Sequence, residues 1–264
     1  MNFYKITNKE EYQFGMQYKT GLNTDILPFN PSGDCESGGI YFAREDIFAF
    51  IDRDSYWIRE VKIPEGEEIY ENPEEPKKWK AHRVILGRRR KITAKVMQEL
   101  INEGANLYAN INRLLIWANI KGYEKIVKLL LEHGADIHKN NDYVLQHASE
   151  NGYYKIVKLL LEYGANVRPD NNYALKLASK NGHTKIVKLL LEHGAIVHDD
   201  INCALQLAVG NGYYEIVKLL LKYGADIHVD NDYVLQLANK NGNKKIVDLL
   251  LRKKKEEEIN QNSN

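Results

Sequence analysis

Hydrophobic and polar positions repeat with a period of thirty residues from about residue 92 to residue 251. When the sequence is shifted by thirty, a leucine and an alanine coincide in every copy, as at Leu145 and Ala148. Two glycines coincide as well, as at Gly152 and Gly164. Self-similarity at a fixed period is the signature of a repeat architecture, in which stacked copies share one hydrophobic core.

Each copy predicts two short antiparallel helices. An Asp or Asn precedes the leucine-containing helix, where its side-chain oxygen is expected to act as an N-cap. The expected N-caps are Asn112, Asp142, Asn172, Asn202 and Asp232. The first helix is expected to end at an Asn-Gly pair, because glycine enters the left-handed conformation without strain. The second helix is predicted from Tyr154 to Glu162 in this copy, with Gly164 after its end.

The N-terminal part of the chain lacks this repeat. Residues 1–90 contain five of the six prolines and three short runs typical of strands. These runs are residues 39–43, 56–63 and 83–86. Together with a short helix expected over residues 45–52, they predict a small α+β domain.

Residues 91–251 are predicted to form a solenoid that contains one capping helix, over residues 92–103, followed by five helix pairs. A capping element is expected because the open end of a stack exposes apolar side chains. Residues 252–264 begin with one basic block followed by one acidic block, and they are predicted to form a charged, disordered tail.

The repeats resemble the ankyrin repeat. Gly182 and His183 match the Gly-His that opens its second helix, and Leu189 to Ala195 match the Leu-Leu-Leu-x-x-Gly-Ala that closes it. The resemblance covers about residues 92–251 and implies a mainly α, ankyrin-type helical solenoid. Because the usual ankyrin period is about 33 residues, the shorter period here predicts tight turns in place of projecting β-hairpin fingers. This shortening counts against binding through finger tips.

The short period, the composition rich in Asn, Ile, Lys and Tyr, and the N-terminal segment together resemble ankyrin-repeat proteins of giant DNA viruses of the mimivirus type. Cys-x-Ser-Gly-Gly-Ile-Tyr-Phe, from Cys35 to Phe42, carries part of the resemblance to their N-terminal extension. The resemblance implies a non-enzymatic scaffold or adaptor that binds an unidentified host or viral protein.

Composition narrows the remaining possibilities. A formal net charge of +1 argues against a protein that coats nucleic acid. Cys35 and Cys203 are far apart, so neither a disulfide framework nor a zinc cluster is indicated. The N-terminus is charged, and no apolar run approaches the length of a membrane span. We expect no cofactor, no specific nucleic acid, no membrane contact, a monomer, and a location in the cytoplasm of the infected host cell.

Two groups of residues offer alternatives to a purely structural role. Asp34, Cys35, Glu36 and His82 provide a thiol and a base, but a lone Cys/His pair without a family signature predicts no enzyme. The run from Arg88 to Lys91 is either a solvated junction, which we favour, or a basic signal for nuclear entry.

Comparison of the copies separates core positions from surface positions. Trp117 and His147 share a column with leucines, which predicts that they pack in the core or at its rim. A row of lysines on the second helices, including Lys128 and Lys158, is followed four residues later by glutamates, which predicts local ion pairs and not a nucleic-acid track.

Two columns vary from copy to copy and are the predicted partner-binding residues. One lies in the turns and includes Lys139 and Asp199. The other lies at the end of the first helices and includes Ile120, Glu150, Lys180 and Lys240. The ankyrin resemblance implies that both columns lie on the concave, partner-binding side, whereas the alternative is an unconstrained surface that drifts.

Two other functions stay open at this point. Residues 1–90 are a candidate enzyme or effector domain that the repeats target. The chain is also a candidate adaptor for a host ubiquitin ligase, but that role requires an F-box-like set of helices, and the strand-type runs of residues 1–90 do not predict one.

Overall fold

The computed structural model describes residues 2–30, 38–197 and 203–262. The chain forms two compact units: Met1–Ala118 with Lys125–Ala135, and Asn119–Glu124 with Asp136–Asn264. The first unit contains the strands and most of the first helix pair, and the second contains the later pairs. The domain boundary between residues 90 and 91 stays a prediction from the change in sequence character.

The described residues of the first unit form ten short strands, all paired antiparallel. They are β1 (Phe3–Thr7), β2 (Tyr12–Gln13), β3 (Met16–Gln17), β4 (Gly21–Thr24), β5 (Ile40–Phe42), β6 (Trp57–Lys62), β7 (Ile69–Glu71), β8 (Trp79–Ala81), β9 (Arg83–Leu86) and β10 (Arg90–Lys91). One sheet has the order β1-β6-β9-β4, with β10 also paired to β6. A second has the order β5-β8-β7, and β2 and β3 form a hairpin.

The three strand runs predicted from the sequence are confirmed as β5, β6 and β9. The short helix predicted after β5 is present as a 3-10 helix, Glu45–Phe50. Alternation along β9 places Val84 and Leu86 in the core and leaves Arg83 and Ile85 exposed, as a pleated strand requires. The Val84 and Leu86 side chains pack with buried residues of β5, β6 and β8 in the core of the unit.

Eleven α-helices follow within the described residues. They are α1 (Ala94–Asn102), α2 (Ile111–Ile120), α3 (Glu124–Glu132), α4 (Lys139–Glu150), α5 (Tyr154–Glu162), α6 (Pro169–Lys180), α7 (Thr184–Glu192), α8 (Cys203–Gly210), α9 (Tyr214–Lys222), α10 (Val229–Lys240) and α11 (Lys244–Asn262). The predicted capping helix is α1, whose N-cap Thr93 accepts a hydrogen bond from the Val96 N–H at 3.3 Å. Helices α2 to α11 form the five predicted pairs, and α5 has the predicted bounds.

The leucine and alanine columns form the core of the repeats. The alanine of each first helix is completely buried, which allows neighbouring helices to approach closely. These alanines are Ala118, Ala148, Ala178, Ala208 and Ala238. The connection between α5 and α6 is residues 163–168, and the described residues between second helices and the next first helices contain no strand. The predicted tight turns are therefore confirmed there.

The predicted N-caps have a different role. Asp142 and Asn172 lie within the ranges of α4 and α6 and have left-handed φ values of 54° and 59°. The side-chain oxygen of Asp142 accepts a hydrogen bond from the Asn166 N–H at 3.1 Å, and Asn172 accepts one from the Ile196 N–H at 2.9 Å. The N-cap prediction is wrong at Asp142, Asn172 and Asp232, whose φ is also left-handed at 57°, because Asp and Asn are also the side chains that tolerate this region. Asn202 lies outside the described residues.

The glycines that end the first helices α2, α4, α6 and α8 also receive a side chain from the following repeat, whereas no described atom lies within 4 Å of a Cβ built at Gly242. A Cβ at Gly182 would lie 2.8 Å from ring atoms of Tyr213, and a Cβ at Gly152 would lie 2.7 Å from the ring of His183. His183 Nε2 also donates a hydrogen bond to the Glu150 carbonyl oxygen at 2.9 Å. This bond satisfies a carbonyl at the end of α4 that has no partner within its own helix.

The C-terminal residues differ from the predicted disordered tail. Helix α11 continues through Arg252 to Asn262, and residues 263–264 lie outside the described range. Lys254 Nζ pairs with Asp232, and His228 Nε2 lies 3.0 Å from Glu257 Oε2. These pairs connect the charged run to the start of α10. The prediction of disorder is wrong for this segment because the charges form i,i+4 and tertiary pairs, which sequence composition does not reveal.

The His228 contacts predict that the end of α11 loosens as pH rises. Burial disfavours protonation, but hydrogen bonds to Asp232 and Glu257 outweigh it and raise the pKa of His228 above its ordinary value. A raised pKa in the folded state means that the stabilisation is complete below about pH 6.5 and disappears as pH rises through the folded pKa. Amide exchange in residues 252–262, corrected for intrinsic rates, should be faster at pH 8.5 than at pH 6.

A His228→Gln variant serves as the control for this experiment. Lys254 and Lys253 still pair with Asp232 and Glu257 in that variant, since lysines titrate well above this range. We expect its corrected exchange rates to be independent of pH between 6 and 8.5. An equal pH dependence in the variant and the natural chain would rule out His228 as the cause.

Candidate functional site

The first helices of the second unit carry a row of exposed tyrosines. Tyr143 in α4, Tyr173 in α6 and Tyr233 in α10 are 39%, 46% and 43% exposed. They occupy the same position in three repeats, thirty residues apart or a multiple of thirty. Arg113 in α2 and Cys203 in α8 occupy this position in the other two first helices. Because the buried alanine and leucine columns hold the helices in register, the three tyrosines share one face, and we name them the tyrosine row.

The predicted column at the end of the first helices lies on the same face as the tyrosine row. Glu150, Lys180 and Lys240 are the last residues of α4, α6 and α10, and all three are exposed. Each follows the tyrosine of its helix by seven residues. Seven residues are almost two turns and about 10 Å of an α-helix, so each charge projects near the direction of its tyrosine. Ile120 ends α2 in the equivalent position and is 40% exposed.

The second predicted column, which includes Lys139 and Asp199, does not follow the helical register of the tyrosine row. Lys139 is the exposed first residue of α4, but the left-handed Asp142 separates it from Tyr143 and interrupts the helical register. Asp199 lies outside the described residues. The structure thus groups the tyrosine row with Glu150, Lys180 and Lys240, and it leaves Lys139 at the opposite end of the helix.

Beside the tyrosine row, His147 occupies a half-buried position. Its Nδ1 lies 3.3 Å from Asn119 Nδ2, and its ring lies 5.9 Å from the Tyr143 ring, measured between centroids. Burial lowers the pKa of His147, and the charge of Glu150 acts in the opposite direction. Trp117, in the same column, is buried. The prediction that this column packs in the core or at its rim is confirmed.

The lysine row on the second helices pairs locally, as predicted. Lys128, Lys158 and Lys188 lie 3.7 to 3.8 Å from the glutamate four residues later. These pairs are exposed, so each contributes only a few tenths of a kcal/mol to stability. Their balanced charge does not resemble the continuous positive surface that follows a nucleic-acid backbone.

The basic run near residue 90 makes specific contacts in the first unit. The Arg89 guanidinium lies 4.6 Å from the Trp57 ring centroid, and Arg90 Nη1 lies 3.2 Å from Glu99 Oε2. Arg90 and Lys91 also pair with β6 as strand β10. These contacts count against an extended import signal. Of the residues considered for catalysis, Asp34, Cys35 and Glu36 lie outside the described residues.

Comparison with known families identifies the repeats. A family model described as ankyrin repeats (3 copies) matches residues 89–170 and 145–231, which together span more than half of the chain. The chain belongs to the ankyrin-repeat family. The mainly α, ankyrin-type solenoid predicted from the sequence is confirmed, and a strand-rich region precedes it. None of the described helices is both long and apolar enough to cross a lipid bilayer.

Two ankyrin repeat proteins of Acanthamoeba polyphaga mimivirus are similar to this chain. One is 34% identical over 136 residues, which is 46% of this chain and 44% of the relative. The other is 32% identical over 127 residues, which is 46% of this chain and 62% of the relative. The chain therefore matches less than two thirds of either relative's length. The resemblance to ankyrin-repeat proteins of the mimivirus type is confirmed.

The tyrosine row was not predicted from the sequence. Its signal was available, because Tyr143, Tyr173 and Tyr233 recur at the same position of the repeat. Recurrence alone did not distinguish them from core aromatic residues such as Trp117. Only the exposure of the three rings shows that they are surface residues that the repeats retain.

Proposed function

We propose that this chain is a protein–protein recognition module whose tyrosine row, together with Glu150, Lys180 and Lys240, contacts the partner. The observation that supports this most directly is the exposure of three tyrosines at one repeated position on parallel first helices. Tyrosine is enriched at the energetic centres of protein interfaces because its rigid ring buries a large area while its hydroxyl keeps a hydrogen-bond partner. A non-enzymatic role fits the ankyrin-repeat family.

Charges at the ends of the same helices support a role in specificity. Glu150 is acidic, whereas Lys180 and Lys240 are basic, so the face carries a charge pattern and not one repeated charge. Charges around the aromatic centre of an interface mainly set the association rate and exclude partners of the wrong sign. Because the relatives are mimivirus proteins, we propose a partner encoded by a virus or by its host.

Two triple variants with equal numbers of tyrosine substitutions test the proposal. The first-helix variant combines Tyr143→Ala, Tyr173→Ala and Tyr233→Ala. The second-helix variant combines Tyr154→Ala, at the start of α5, with Tyr163→Ala and Tyr223→Ala, directly after α5 and α9. These tyrosines are similarly exposed, at 39%, 42% and 38%. Capture from infected cells followed by mass spectrometry identifies proteins bound by the natural chain. We expect the first-helix variant to lose the partner and the second-helix variant to keep it.

Affinity measurements with the purified partner complete the test. Removal of a central interface tyrosine usually costs more than 1 kcal/mol of binding free energy, so the first-helix variant should bind at least tenfold more weakly. Exchange of the charges at Glu150 and Lys180 should chiefly slow association. Equal capture by both triple variants would contradict the proposed surface, and capture by residues 1–91 alone would assign recognition to the N-terminal region.

A further inference from the structure

The first unit contains a cavity of about 220 Å³ that none of the repeat features explains. Among described residues, its wall comes from β1, β5, the 3-10 helix, the turn between β2 and β3, and the loop residues Asp52, Ser55 and Lys78. Most of the wall is apolar and includes Ile6, Ile47 and Phe50. An apolar cavity that also contains a few convergent polar groups is the usual form of a small-molecule site.

Lys5 is the unusual polar residue of this cavity. It lies in the middle of β1, and only 6% of it is exposed. Its ammonium group donates a hydrogen bond to the Tyr41 carbonyl oxygen at 3.1 Å and lies 4.6 Å from the Tyr18 ring centroid. An ammonium group has three N–H donors. Among the described residues one hydrogen bond to this group is found, so its donor capacity is only partly used.

The electrostatic surroundings do not neutralise this lysine. Burial lowers the pKa of Lys5 to about 8, and the charge of Asp25 opposes the change only in part. The two Asp25 oxygens accept hydrogen bonds from the backbone N–H groups of Leu27 and Gly39, at 3.0 and 2.6 Å. A buried cation without a close anionic partner destabilises a fold, and an apolar residue of similar size is normally more stable there.

The other charged residues of the wall are Lys78 and Asp52. Asp52 Oδ1 accepts hydrogen bonds from Ser55 Oγ at 2.7 Å and from the Asp54 N–H at 3.0 Å, so this carboxylate is held within its own loop. Lys78 Nζ lies 5.4 Å from the Tyr41 ring centroid, and Lys5 is the cation that is buried in the wall. An anionic group is therefore the polar group that the cavity favours.

Phe14 shows where the cavity reaches the surface. It lines the cavity, yet 89% of the residue is exposed, and its φ is 52°. Phe14 and Gly15 are the two central residues of the β2–β3 hairpin, a two-residue turn that requires a positive φ at both positions. Gly15, with a φ of 81°, follows Phe14 and completes the turn. The exposed ring thus forms part of the rim of the cavity.

We infer that this cavity binds a small monocarboxylate with an apolar body, whose carboxylate pairs with Lys5 and whose body packs against Ile47 and Phe50. An ion pair with the ligand supplies the anionic partner that Lys5 lacks among the described residues. The size is suitable, since a cavity of about 150 Å³ holds benzene. Benzoate and hexanoate are therefore the probes, and benzamide and hexanamide are their uncharged controls.

Thermal unfolding of the full chain at pH 7 tests this site. We expect 10 mM benzoate or hexanoate to raise the Tm of the natural chain, relative to equimolar sodium chloride, while the amides have no effect. A Lys5→Met variant keeps the length of the side chain and removes the charge. It should unfold at a higher temperature than the natural chain without ligand, and neither carboxylate should raise its Tm. Equal increases in Tm in the natural chain and in Lys5→Met would overturn the proposed site, and so would no increase in the natural chain.

A second measurement uses only the natural chain, so it does not depend on folding of the variant. The affinity for benzoate, measured by isothermal titration calorimetry, should fall at least tenfold between pH 7 and pH 9.5. The reason is that Lys5 loses its proton in this range while benzoate stays ionised. An affinity that is constant across this range would show that another group binds the carboxylate and would overturn the assignment to Lys5.

Discussion

Replacement of Glu11 by alanine is expected to destabilise the first unit by about 3–5 kcal/mol. The Glu11 carboxylate forms a two-pronged ion pair with Arg59, with distances of 2.6 Å to Nε and 2.9 Å to Nη2. Both side chains are almost completely buried, at 3% exposed for Arg59 and 6% for Glu11. Loss of the carboxylate leaves the Arg59 guanidinium buried without its counter-ion, which is one of the largest penalties a single substitution produces.

The pair matters because it joins separate parts of the unit. Arg59 lies in the central strand β6, and its Nη1 also donates to Thr20 Oγ1 at 3.0 Å and to the Gly87 carbonyl oxygen. Urea unfolding followed by circular dichroism measures the loss of stability. Glu132→Ala is the control, because its pair with Lys128 is exposed and contributes less than about 0.5 kcal/mol. Similar losses in the two variants would contradict a buried, structural ion pair.

Stability measured as a function of pH, in the natural chain and in Glu11→Gln, separates the effect of the Glu11 charge from the effect of the side chain's size. Burial tends to raise the pKa of Glu11, but the hydrogen bonds and charge of Arg59 outweigh burial and hold the pKa below its ordinary value. A lowered pKa in the folded state gives stabilisation that is complete above the unfolded value, about 4.3, and disappears as pH falls through the folded pKa. The difference in stability between the natural chain and Glu11→Gln should therefore be largest near pH 7 and shrink below pH 4.

The repeat part of the fold was predictable because every copy has the same spacing of core residues and helix-ending glycines. A leucine, a buried alanine and two helix-ending glycines recur at fixed spacing, so an error in one copy is corrected by the others. This redundancy is why the predicted bounds of α5 agree with the structure. The N-terminal strands lack such redundancy. Their existence follows from local runs of β-type residues, whereas their pairing order depends on contacts between distant segments that local patterns do not encode.

Most errors in the sequence-based predictions came from residue types that suit two structural roles equally well. Asp and Asn are favoured both as N-caps and in the left-handed region, so Asp142 fitted the wrong role. The charged run after Leu251 has the composition of a disordered tail, but Lys254 reaches Asp232 and extends α11. In both cases the deciding partner lies more than twenty residues away along the chain.

The candidate sites were predictable only in part for related reasons. The end column, with Glu150 and Lys180, followed from variation between copies, and the structure shows these residues exposed on the face of the tyrosine row. Lys5 carried no signal, since a lysine within a short strand normally points to solvent. Its burial results from packing against Tyr18 and Tyr41, which belong to segments that the sequence pattern did not place beside β1.

Gly182→Ala is expected to destabilise the second unit by roughly 2–5 kcal/mol, and Gly242→Ala by only about 1–2 kcal/mol. Both glycines end a first helix with left-handed φ values, 78° and 68°. They differ in what a new Cβ meets. At Gly182 it lies 2.8 Å from ring atoms of Tyr213, whereas at Gly242 no described atom lies within 4 Å. Urea denaturation measures the loss of unfolding free energy in each variant. Because both variants include backbone strain, the difference between the two losses gives the cost of the contact with the next repeat.

A Tyr213→Ala background decides between these two causes. Without the ring, Gly182→Ala should cost only the backbone strain, so its effect should fall to that of Gly242→Ala. The double-mutant cycle then gives the coupling between the glycine and the ring, which should be about 1–3 kcal/mol. An unchanged effect in the Tyr213→Ala background would show that strain alone accounts for the glycine. The expected coupling would instead show that Gly182 is a contact between repeats, because it ends its own helix and receives the Tyr213 side chain, which begins the next pair's second helix.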